Sequence, residues 1–393
     1  MHIAYLHYLY GDASALNHVR QFAEAARQLG HRVDVHAMNL GPSVDDGDGG
    51  PPAPSSVGQR LRGVLKRHLG YFLHEPKELV WNLTYMRRET ELLRREPPDV
   101  LLVRDHTLTA SAPTVARRLG LPLVIEVNAP AAEAGLYLDD YLHLPWISEW
   151  LEGHKLRRAD AVTVVSGALR DFLVKQHGLS PDTFDVVPNG ADLERFHPEL
   201  PSDPDLPDNL RGDAPVVGFV GSFEKWHGTD LLAAMVCRVG EARDDVHFLL
   251  VGDGPERVDV ERATAGLGDR VHFTGKVPHS RVPGLVAAFD VGVVAEAGFY
   301  MSPLKLFEWM AAGRAAVAPC YGPLEEVIDD GVHGLLFPPR DIDTLCGAVL
   351  RLLDDGALRQ RLGRAAAERA HGSLSWQDNA RRVLAACERV SGR

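Results

Sequence analysis

The sequence is poor in cysteine, and its few cysteines are scattered along the chain. They form no Cys-x-x-Cys pair and no Cys/His cluster with the spacing of metal ligands, which argues against a disulfide framework and against a structural zinc site. We expect them to be reduced, buried thiols in a protein of a reducing compartment. The four residues are Cys237, Cys320, Cys346 and Cys387.

Long apolar runs and an excess of positive charge are also lacking. No run reaches the roughly 18 residues that a membrane-spanning helix needs. The first residues, Met1–Leu6, have the pattern of a strand and not that of a signal peptide. The sequence therefore predicts a cytoplasmic protein. The formal net charge is −12, which argues against nucleic acid as the main ligand.

The chain is long enough for two domains. It has 393 residues, of which 45% are hydrophobic and 24% charged, as is usual for globular proteins. A Pro- and Asp-rich stretch, Pro198–Pro215, marks the best boundary. We expect a first domain over 1–197, a linker over 198–215, a second domain over 216–372, and a terminal helix over 373–393 that packs back on the first domain.

Short apolar runs alternate with helical patterns in both halves, which is typical of βαβ units and parallel sheets. The predicted strands of the first half are His2–Leu6, Val33–Ala37, Val100–Arg104, Pro122–Val127, Ala161–Val165 and Asp185–Pro188. Those of the second half are Val216–Val220, His247–Val251, Val271–Thr274, Val291–Val294, Ala315–Pro319 and Gly334–Phe337. The sequence thus predicts an α/β protein with two doubly wound domains. Such sheets bind ligands in a cleft at the carboxyl ends of their strands.

The segment Ser302–Gly313 carries the strongest chemical signal. Ser302 suits an N-cap and Pro303 the first helical position, while Gly313 suits the residue just past the helix. The amides of Leu304 and Lys305 then lie in the first turn without an intrahelical acceptor. The segment therefore predicts a helix N-terminus that can bind phosphate oxygens.

Two charged side chains complete this segment. Lys305 adds a positive charge at the helix start, and Glu308 lies one turn further on the same face. A carboxylate there can accept hydrogen bonds from both hydroxyls of a ribose. The alternative is a plain capped helix whose Lys and Glu form a surface pair. The other motifs in the second half of the sequence favour the phosphate-binding helix over the plain capped helix.

Five further segments resemble, in order and spacing, the donor domain of the family 4 glycosyltransferases, which have the GT-B fold. They are Val187–Phe196, Gly218–Phe223, Val251–Pro255, Phe273–Pro278 and Gly331–Leu336. In the first half the resemblance rests on the alternating pattern and on Glu126–Pro130. The match covers nearly all of the chain from Asp185 to Pro338.

The resemblance implies retaining transfer from a UDP- or GDP-sugar to an acceptor hydroxyl by a front-side mechanism, with no metal and no cofactor beside the nucleotide sugar. The two Asp-x-Asp sequences, Asp46–Asp48 and Asp203–Asp205, lie in a predicted loop and in the linker, so we do not expect them to bind a metal. The resemblance also implies roles for individual residues. The nucleotide-binding set is Gly221, Ser222, Lys225, His227, Lys276, Val277, Leu304, Lys305 and Glu308, and the set beside the donor sugar is Phe299, Tyr300, Met301 and Ser302.

Three departures from the family pattern concern the chemistry. The family often has arginine and lysine at the positions of Ser222 and His227; a neutral His227 can still donate one hydrogen bond to phosphate. The first of the family's two glutamates is Tyr300 here, and Glu296 is a nearby substitute at the wrong spacing. The family often has a histidine at Asn128, and an amide is no general base.

The expected catalytic groups are therefore Lys305, His227 and Asn128, of which the last would hold a hydroxyl of the sugar or acceptor. A turn role before Ala129-Pro130 is the alternative for Asn128. The expected acceptor side consists of Gly11, His106, Glu126 and Asn128.

Other interpretations of the sequence stay open. A pseudo-glycosyltransferase or a nucleotide-sugar isomerase could use the same donor site, and a non-catalytic partner subunit could bind the nucleotide sugar without turnover. The segment Arg60–Arg95 contains nine Lys/Arg and four Glu. It predicts either a solvated basic helical face or a peripheral contact with anionic lipid or an acidic acceptor.

Overall fold

The computed structural model describes residues 1–9, 13–39, 57–131 and 144–392, and for 13–15 and 57–74 it describes the backbone only. Gly11 and the sequence Asp46–Asp48 lie outside the described residues. The chain divides into two compact units. The first comprises Met1–Val164, Leu169–Val187 and Ala380–Arg393, and the second comprises Val165–Ala168 and Pro188–Asn379.

The first unit contains a six-stranded parallel sheet with the order β2-β1-β3-β4-β5-β6. Its strands are β1 His2–His7, β2 Arg32–Ala37, β3 Val100–Arg104, β4 Leu123–Val127, β5 Ala161–Val164 and β6 Phe184–Val186. Its helices are α1 Ala13–Gln28, α2 Val57–Arg95, α3 Ser111–Leu119, α4 Pro145–Leu156 and α5 Gly167–His177. The strand order reverses between β1 and β3, which is the ligand-binding point of such sheets.

The second unit contains another six-stranded parallel sheet, with the order β12-β11-β10-β7-β8-β9. Its strands are β7 Val216–Val220, β8 His247–Val251, β9 Val271–Gly275, β10 Val291–Val293, β11 Ala315–Pro319 and β12 Leu335–Phe337. The order reverses between β7 and β10. Residues that follow these two strands therefore meet at one point of the carboxyl edge.

Helices cover both faces of the second sheet. They are α6 Thr229–Ala242, α7 Arg257–Thr264, α8 Val282–Val286, α9 Leu304–Ala311, α10 Gly322–Glu325, α11 Ile342–Asp354 and α12 Gly356–Ser373. The last helix, α13 Trp376–Ser391, begins in the second unit and belongs to the first unit from Ala380 onward. Short 3₁₀ turns lie at Pro181–Thr183, Asp208–Leu210, Lys225–His227 and Ala265–Arg270. With both faces covered, the strands are continuous apolar runs and not alternating ones.

Packing of α9 fixes the direction of its polar side chains. Leu306, Phe307 and Trp309 are fully buried in the core cluster on one side of the second sheet. Burial of each such side chain stabilises the fold by about 1.5–3 kcal/mol. Because these residues face the core, Lys305 and Glu308 lie on the half-buried side of the helix.

All twelve predicted strands are present, and the predicted doubly wound α/β class is confirmed. The stretch Pro198–Pro215 belongs to the second unit, where Leu206 and Leu210 pack into its core and Asp203 pairs with Arg281 at 2.8 Å. The chain returns to the first unit at Ala380, and Arg389 there pairs with Asp185 at 2.5 Å. The four cysteines are free thiols, with Cys346 and Cys387 buried and the other two half-buried.

Candidate functional site

Helix α9 begins one residue later than the sequence indicates. Its first residue is Leu304 and Pro303 occupies the N-cap position, so the predicted roles of Ser302 as cap and Pro303 as first helical residue are wrong. The reason is a tertiary contact: the Asn189 amide donates to the Ser302 carbonyl at 2.6 Å and fixes the chain before the helix. Since no side chain of the described residues caps α9, its first amides are left for a ligand.

The end of α9 follows the prediction. Gly313 has φ of 69° and lies just past the helix. Its amide donates to the Met310 carbonyl and the Arg314 amide donates to the Trp309 carbonyl, both at 2.9 Å. This paired arrangement is a Schellman motif, which requires a left-handed residue and so favours glycine.

The Lys305 ammonium lies at the reversal point of the second sheet. Its Nζ is 4.5 Å from the centre of the Phe219 ring on β7. A Cβ atom on Gly221, directly after β7, would be only 2.8 Å from the same Nζ. The absence of a side chain at Gly221 therefore gives the ammonium its place beside the end of β7.

His227 lies beside this ammonium, and its donor nitrogen is already occupied. Nδ1 is 2.5 Å from the Ser222 carbonyl, so the N–H of Nδ1 donates to that oxygen. A neutral ring then offers a lone pair at Nε2, which repels phosphate oxygens. The expectation that neutral His227 donates to phosphate is therefore wrong: only the protonated ring can do so.

Burial disfavours the charged forms of Lys305 and His227. Burial lowers the pKa of Lys305 to about 7, although the Glu308 carboxylate acts in the opposite direction. Burial, followed by the nearby Lys305 charge, lowers the pKa of His227 to about 3. A group of buried bases whose pKa values are lowered in this way is suited to an anion, because the anion restores their charged forms.

Glu308 is held by a residue that the sequence analysis missed. His279 Nε2 lies 3.4 Å from the Glu308 carboxylate, whose side chain is 12% exposed. Arg195 donates to His279 Nδ1 at 2.9 Å and to the His279 carbonyl at 2.7 Å, so the ring proton is on Nε2 and points to Glu308. The sequence held one signal for the role of His279: this residue directly follows the segment Phe273–Pro278, which resembles the donor domain of the family.

The other residues predicted to contact the nucleotide lie on the strand ends, loops and helix start of the second unit. Lys276 is exposed just past β9, and Val277 packs partly on the core. Ser222 and Lys225 are exposed in the loop and turn between β7 and α6. Leu304 is half-buried at the start of α9.

The residues predicted beside the donor sugar are less accessible than expected. Tyr300 is only 3% exposed, and its ring packs edge-on against Phe299 with centres 5.3 Å apart. Its carbonyl accepts a hydrogen bond from the Ser166 hydroxyl at 3.4 Å, and Met301 packs partly on the core. Tyr300 is thus a packing residue.

Glu296, the nearby acid, has its own partners. It accepts from the Ala297 amide at 3.0 Å and lies 3.7 Å from Arg340. Burial, followed by a hydrogen bond to Glu296, raises the pKa of Tyr321 to about 12. Arg340 also pairs with Asp230 at 2.5 Å, so Glu296 belongs to a polar cluster at the same edge of the sheet.

In the first unit, Glu126 is the centre of a buried polar network. Its carboxylate accepts from the Tyr5 hydroxyl at 2.6 Å, from Arg104 at 2.7 Å and from the Asn128 amide at 2.6 Å. Burial by itself raises the pKa of Glu126. The charges of His18 and Arg104 lower it by more than burial raises it, so the pKa lies below its ordinary value. Glu126 is therefore a fixed carboxylate that orients Asn128 and leaves the Asn128 oxygen as a hydrogen-bond acceptor.

His106 lies past the end of β3, beside a second buried ion pair. Asp105 pairs with Lys155 at 2.5 Å, and Lys155 also donates to the His106 carbonyl at 2.8 Å. The His106 ring lies 6.3 Å from that of Tyr8, at the end of β1. His106 and Asn128 are thus both placed at the carboxyl edge of the first sheet.

Among the described residues, no group of three or more His, Cys, Asp or Glu side chains is arranged to hold a metal ion. Likewise, none of the described helices is both long and apolar enough to cross a membrane.

Sequence comparison gives two family matches. Residues 15–195 match the family model described as Glycosyltransferase Family 4, and residues 214–355 match the one described as Glycosyl transferases group 1. The 2-deoxystreptamine glucosyltransferase of Streptomyces kanamyceticus is 30% identical over 80% of this chain and 83% of its own length. The D-inositol 3-phosphate glycosyltransferase of Kribbella flavida is 29% identical over 96% of this chain and 91% of its own length.

Solved structures share the fold over the whole chain. Sucrose-phosphate synthase from Thermosynechococcus elongatus has a TM-score of 0.74 at 20% identity, with complete coverage of both chains. HepE from Anabaena in complex with UDP has a TM-score of 0.72 at 17% identity, again with complete coverage. The two Rossmann-like sheets therefore form a GT-B fold.

Proposed function

We propose that this chain, which belongs to glycosyltransferase family 4, transfers a sugar from a nucleoside diphosphate sugar to an acceptor hydroxyl with retention of anomeric configuration. The observation that carries the proposal is the convergence at the reversal point of the second sheet. The uncapped amides of α9, the Lys305 ammonium beside Gly221, and the Glu308 carboxylate lie within one helix turn of each other. Amides and ammonium suit a diphosphate, and the carboxylate suits a ribose.

The leaving group sets the main catalytic demand. When the bond between the anomeric carbon and the phosphate oxygen breaks, negative charge accumulates on the diphosphate. Lys305, the first amides of α9 and protonated His227 stabilise that charge, and fixed donors of this kind supply a large part of enzymatic rate enhancement. No metal is required for this step, because the cationic groups of the chain perform it.

The acceptor proton follows the leaving group. In a front-side transfer the acceptor oxygen bonds to the anomeric carbon as its proton moves to the departing phosphate oxygen. The first unit then needs no general base, and Asn128, held by Glu126, positions a non-reacting hydroxyl of the sugar or the acceptor by accepting its hydrogen bond. This accounts for an amide at a position where the family often has histidine.

Known relatives indicate the substrates to test first. The Anabaena protein HepE has been solved with UDP and with UDP-glucose. The names of two relatives specify 2-deoxystreptamine and D-inositol 3-phosphate, which are both polyhydroxylated six-membered carbocycles. We therefore propose a UDP-sugar as donor and a cyclitol, free or substituted, as acceptor.

The test has two stages. Thermal unfolding is measured with a panel of UDP- and GDP-sugars, because a ligand that binds only the folded chain raises its midpoint. The best donor is then incubated with 2-deoxystreptamine, D-inositol 3-phosphate and phosphatidylinositol, and the anomeric configuration of the product is read by NMR. Lys305→Met is the control variant and is expected to lose the donor-dependent shift.

Each alternative has its own signature in this experiment. An isomerase converts the nucleotide sugar without an acceptor, and a non-catalytic subunit binds it without any product. A product of inverted configuration would refute the front-side mechanism. The absence of stabilisation by every nucleotide sugar would refute the donor site itself.

A further inference from the structure

Arg195 and His279 reach the nucleotide site from two segments that are far apart in sequence. Arg195 lies near the end of the segment Val187–Phe196, and His279 follows β9 at the carboxyl edge of the second sheet. His279 Nε2 in turn lies 3.4 Å from the Glu308 carboxylate. The three side chains therefore form a continuous row that runs from the Arg195 guanidinium to the acid on α9.

The Arg195 guanidinium contacts His279 at two atoms. One amino group donates to the ring Nδ1 at 2.9 Å, and the other donates to the His279 carbonyl at 2.7 Å. Arginine has donors only, so Nδ1 is the acceptor and the ring proton is on Nε2. The one N–H of the ring therefore points to Glu308.

Arg195 is itself fixed by the turn of its own segment. The Asp192 carboxylate accepts from the amides of Glu194 and Arg195, both at 3.2 Å, and the Asp192 carbonyl accepts from the Phe196 amide at 2.8 Å. The Phe196 ring is fully buried, and its centre lies 6.0 Å from the Arg195 guanidinium carbon and 6.5 Å from the centre of the His279 ring. A rigid base therefore supports both residues of the row.

Glu308 has one partner that fixes its orientation. Within the described part of the chain, His279 is the only side chain that approaches its carboxylate to ion-pair distance, and Lys305, three residues earlier on α9, forms no ion pair with it. A carboxylate has about four acceptor positions, of which the ring N–H uses one. The remaining positions are left for the hydroxyls of a ligand.

The exposure of His279 argues against a role in packing alone. Its side chain is 44% exposed, whereas the Phe196 ring beside it is fully buried. Substitution of a side chain that is this exposed usually changes the stability of a protein little. The two hydrogen bonds from Arg195 therefore fix a ring whose main described contact is the Glu308 carboxylate.

We propose that Arg195 and His279 are positioning residues, which orient Glu308 toward the ribose and so make the donor site selective for ribonucleoside diphosphates over their 2′-deoxy analogues. This proposal rests on the ribose contact of Glu308 in the proposed function. A carboxylate that is already oriented loses less conformational freedom when hydroxyls bind to it, so each hydroxyl contributes more affinity. Pyrophosphate has no hydroxyls of this kind, so its binding does not depend on the orientation of Glu308.

Titration calorimetry with the full chain tests the proposal. The ligands are UDP, GDP, the 2′-deoxy analogue of each, and pyrophosphate. For the nucleotide that the unaltered chain binds more tightly, His279→Ala is expected to weaken binding about tenfold, as is typical of a lost contact between coupled residues. The preference for this nucleotide over its 2′-deoxy analogue is expected to fall as well. Pyrophosphate affinity is expected to stay within about twofold, because Lys305 and the charge of Glu308 remain.

Three further variants distinguish positioning from a general structural role. His279→Gln keeps an N–H near the place of Nε2 and is expected to restore most of the affinity and the preference. Arg195→Met removes the donor that fixes the ring proton and is expected to lower the same preference. In a Glu308→Ala background, His279→Ala is expected to change nucleotide affinity by less than about twofold, because the group that it positions is absent.

His333→Ala is the matched control. His333 also has an arginine and an acid beside its ring, with Arg369 and Asp329 each 3.3 Å from Nδ1. It precedes β12 and so lies at the amino edge of the second sheet, opposite the edge where His279 lies. We expect this variant to keep the affinity and the preference of the unaltered chain.

The outcomes separate this proposal from the proposed function. If neither UDP nor GDP binds, or if Glu308→Ala leaves nucleotide affinity unchanged, the donor site or its ribose contact is refuted, and the positioning role with it. If Glu308→Ala weakens nucleotide binding but His279→Ala does not, only the positioning role is overturned.

Equal losses for pyrophosphate, an equal loss in His333→Ala, or a further tenfold loss in the double variant would also overturn the positioning role alone. The unfolding midpoint of each variant is measured. Arg195→Met leaves the His279 ring in place and decides the outcome if His279→Ala does not fold.

Discussion

UDP binding is expected to draw a proton from solvent, because the diphosphate returns Lys305 to its charged form. In the empty site burial lowers the pKa of Lys305 to about 7. A diphosphate beside Nζ offers the opposite charge that the buried ammonium lacks, so the pKa in the complex rises toward its ordinary range. Proton uptake on binding therefore reports directly on the contact between Lys305 and the nucleotide.

The magnitude follows from the pKa. About half of the Lys305 side chains are neutral at pH 7 and about nine-tenths at pH 8, so uptake by this group rises from about 0.5 to about 0.9 protons per UDP. The terminal phosphate of UDP has a second pKa near 6 and is already ionised at pH 8, so it does not obscure the measurement there. Between pH 7 and pH 9 the affinity is expected to fall about 50-fold.

The assay is titration calorimetry at pH 8 in two buffers of different ionisation enthalpy. The slope of observed enthalpy against buffer ionisation enthalpy gives the number of protons taken up. Uptake above one proton per UDP would assign the remainder to His227, whose pKa in the empty site is about 3. A slope of zero, or an equal slope in Lys305→Met, would refute the reasoning.

The same pKa makes a prediction for stability. The folded-state pKa of Lys305 is lowered from 10.5 to about 7, so the empty protein is destabilised by this group below pH 7, and the penalty disappears as pH rises to 10.5. Lys305→Met removes the penalty. We expect a higher unfolding midpoint for this variant at pH 7 without ligand, and a smaller increase on addition of UDP.

Four further substitutions test the geometry of the two units. Glu308→Gln is expected to weaken UDP binding by about 1.5–3 kcal/mol more than pyrophosphate binding, because both ligands lose the support that Glu308 gives to the Lys305 charge but only UDP loses a ribose contact; equal losses for both ligands would show that Glu308 does not contact the ribose. Gly221→Ala places a Cβ 2.8 Å from Nζ of Lys305 and 3.1 Å from the buried Phe219 ring. Weaker UDP binding is expected because the ammonium is displaced, with a loss of about 1–3 kcal/mol of unfolding free energy because the buried ring must also shift. Glu126→Gln is expected to cost about 3–5 kcal/mol of unfolding free energy by denaturant titration, because Arg104 loses a buried partner. Asn128→Ala is expected to lower kcat/KM for the acceptor without changing UDP affinity, and an unaltered kcat/KM would contradict its positioning role.

Much of the fold could be predicted because its signals are local. Each strand is a short apolar run that both neighbouring helix layers bury, and twelve such runs separated by helical patterns admit few arrangements. The end of α9 was equally predictable, since a left-handed residue after a helix is most often glycine, as at Gly313.

Other features depend on contacts between residues far apart in sequence. Ser302 has the composition of an N-cap, but Asn189, 113 residues earlier, holds its carbonyl and moves the helix start to Leu304. The Pro- and Asp-rich stretch looks like a linker, but Leu206 and Leu210 bury their side chains in the second unit. Local propensity is a weak prior that such contacts override.

The sequence by itself determined the two parallel sheets, the family resemblance, and the candidate phosphate-binding helix with Lys305 and Glu308. Only the tertiary structure decided the chemical state of these groups. It gave His227 a carbonyl acceptor, gave Glu308 a partner in His279, and turned Glu126 from a candidate acceptor contact into a buried anchor for Asn128. The physical reason is that protonation and hydrogen-bond direction depend on burial and on neighbours from other elements, which residue order does not specify.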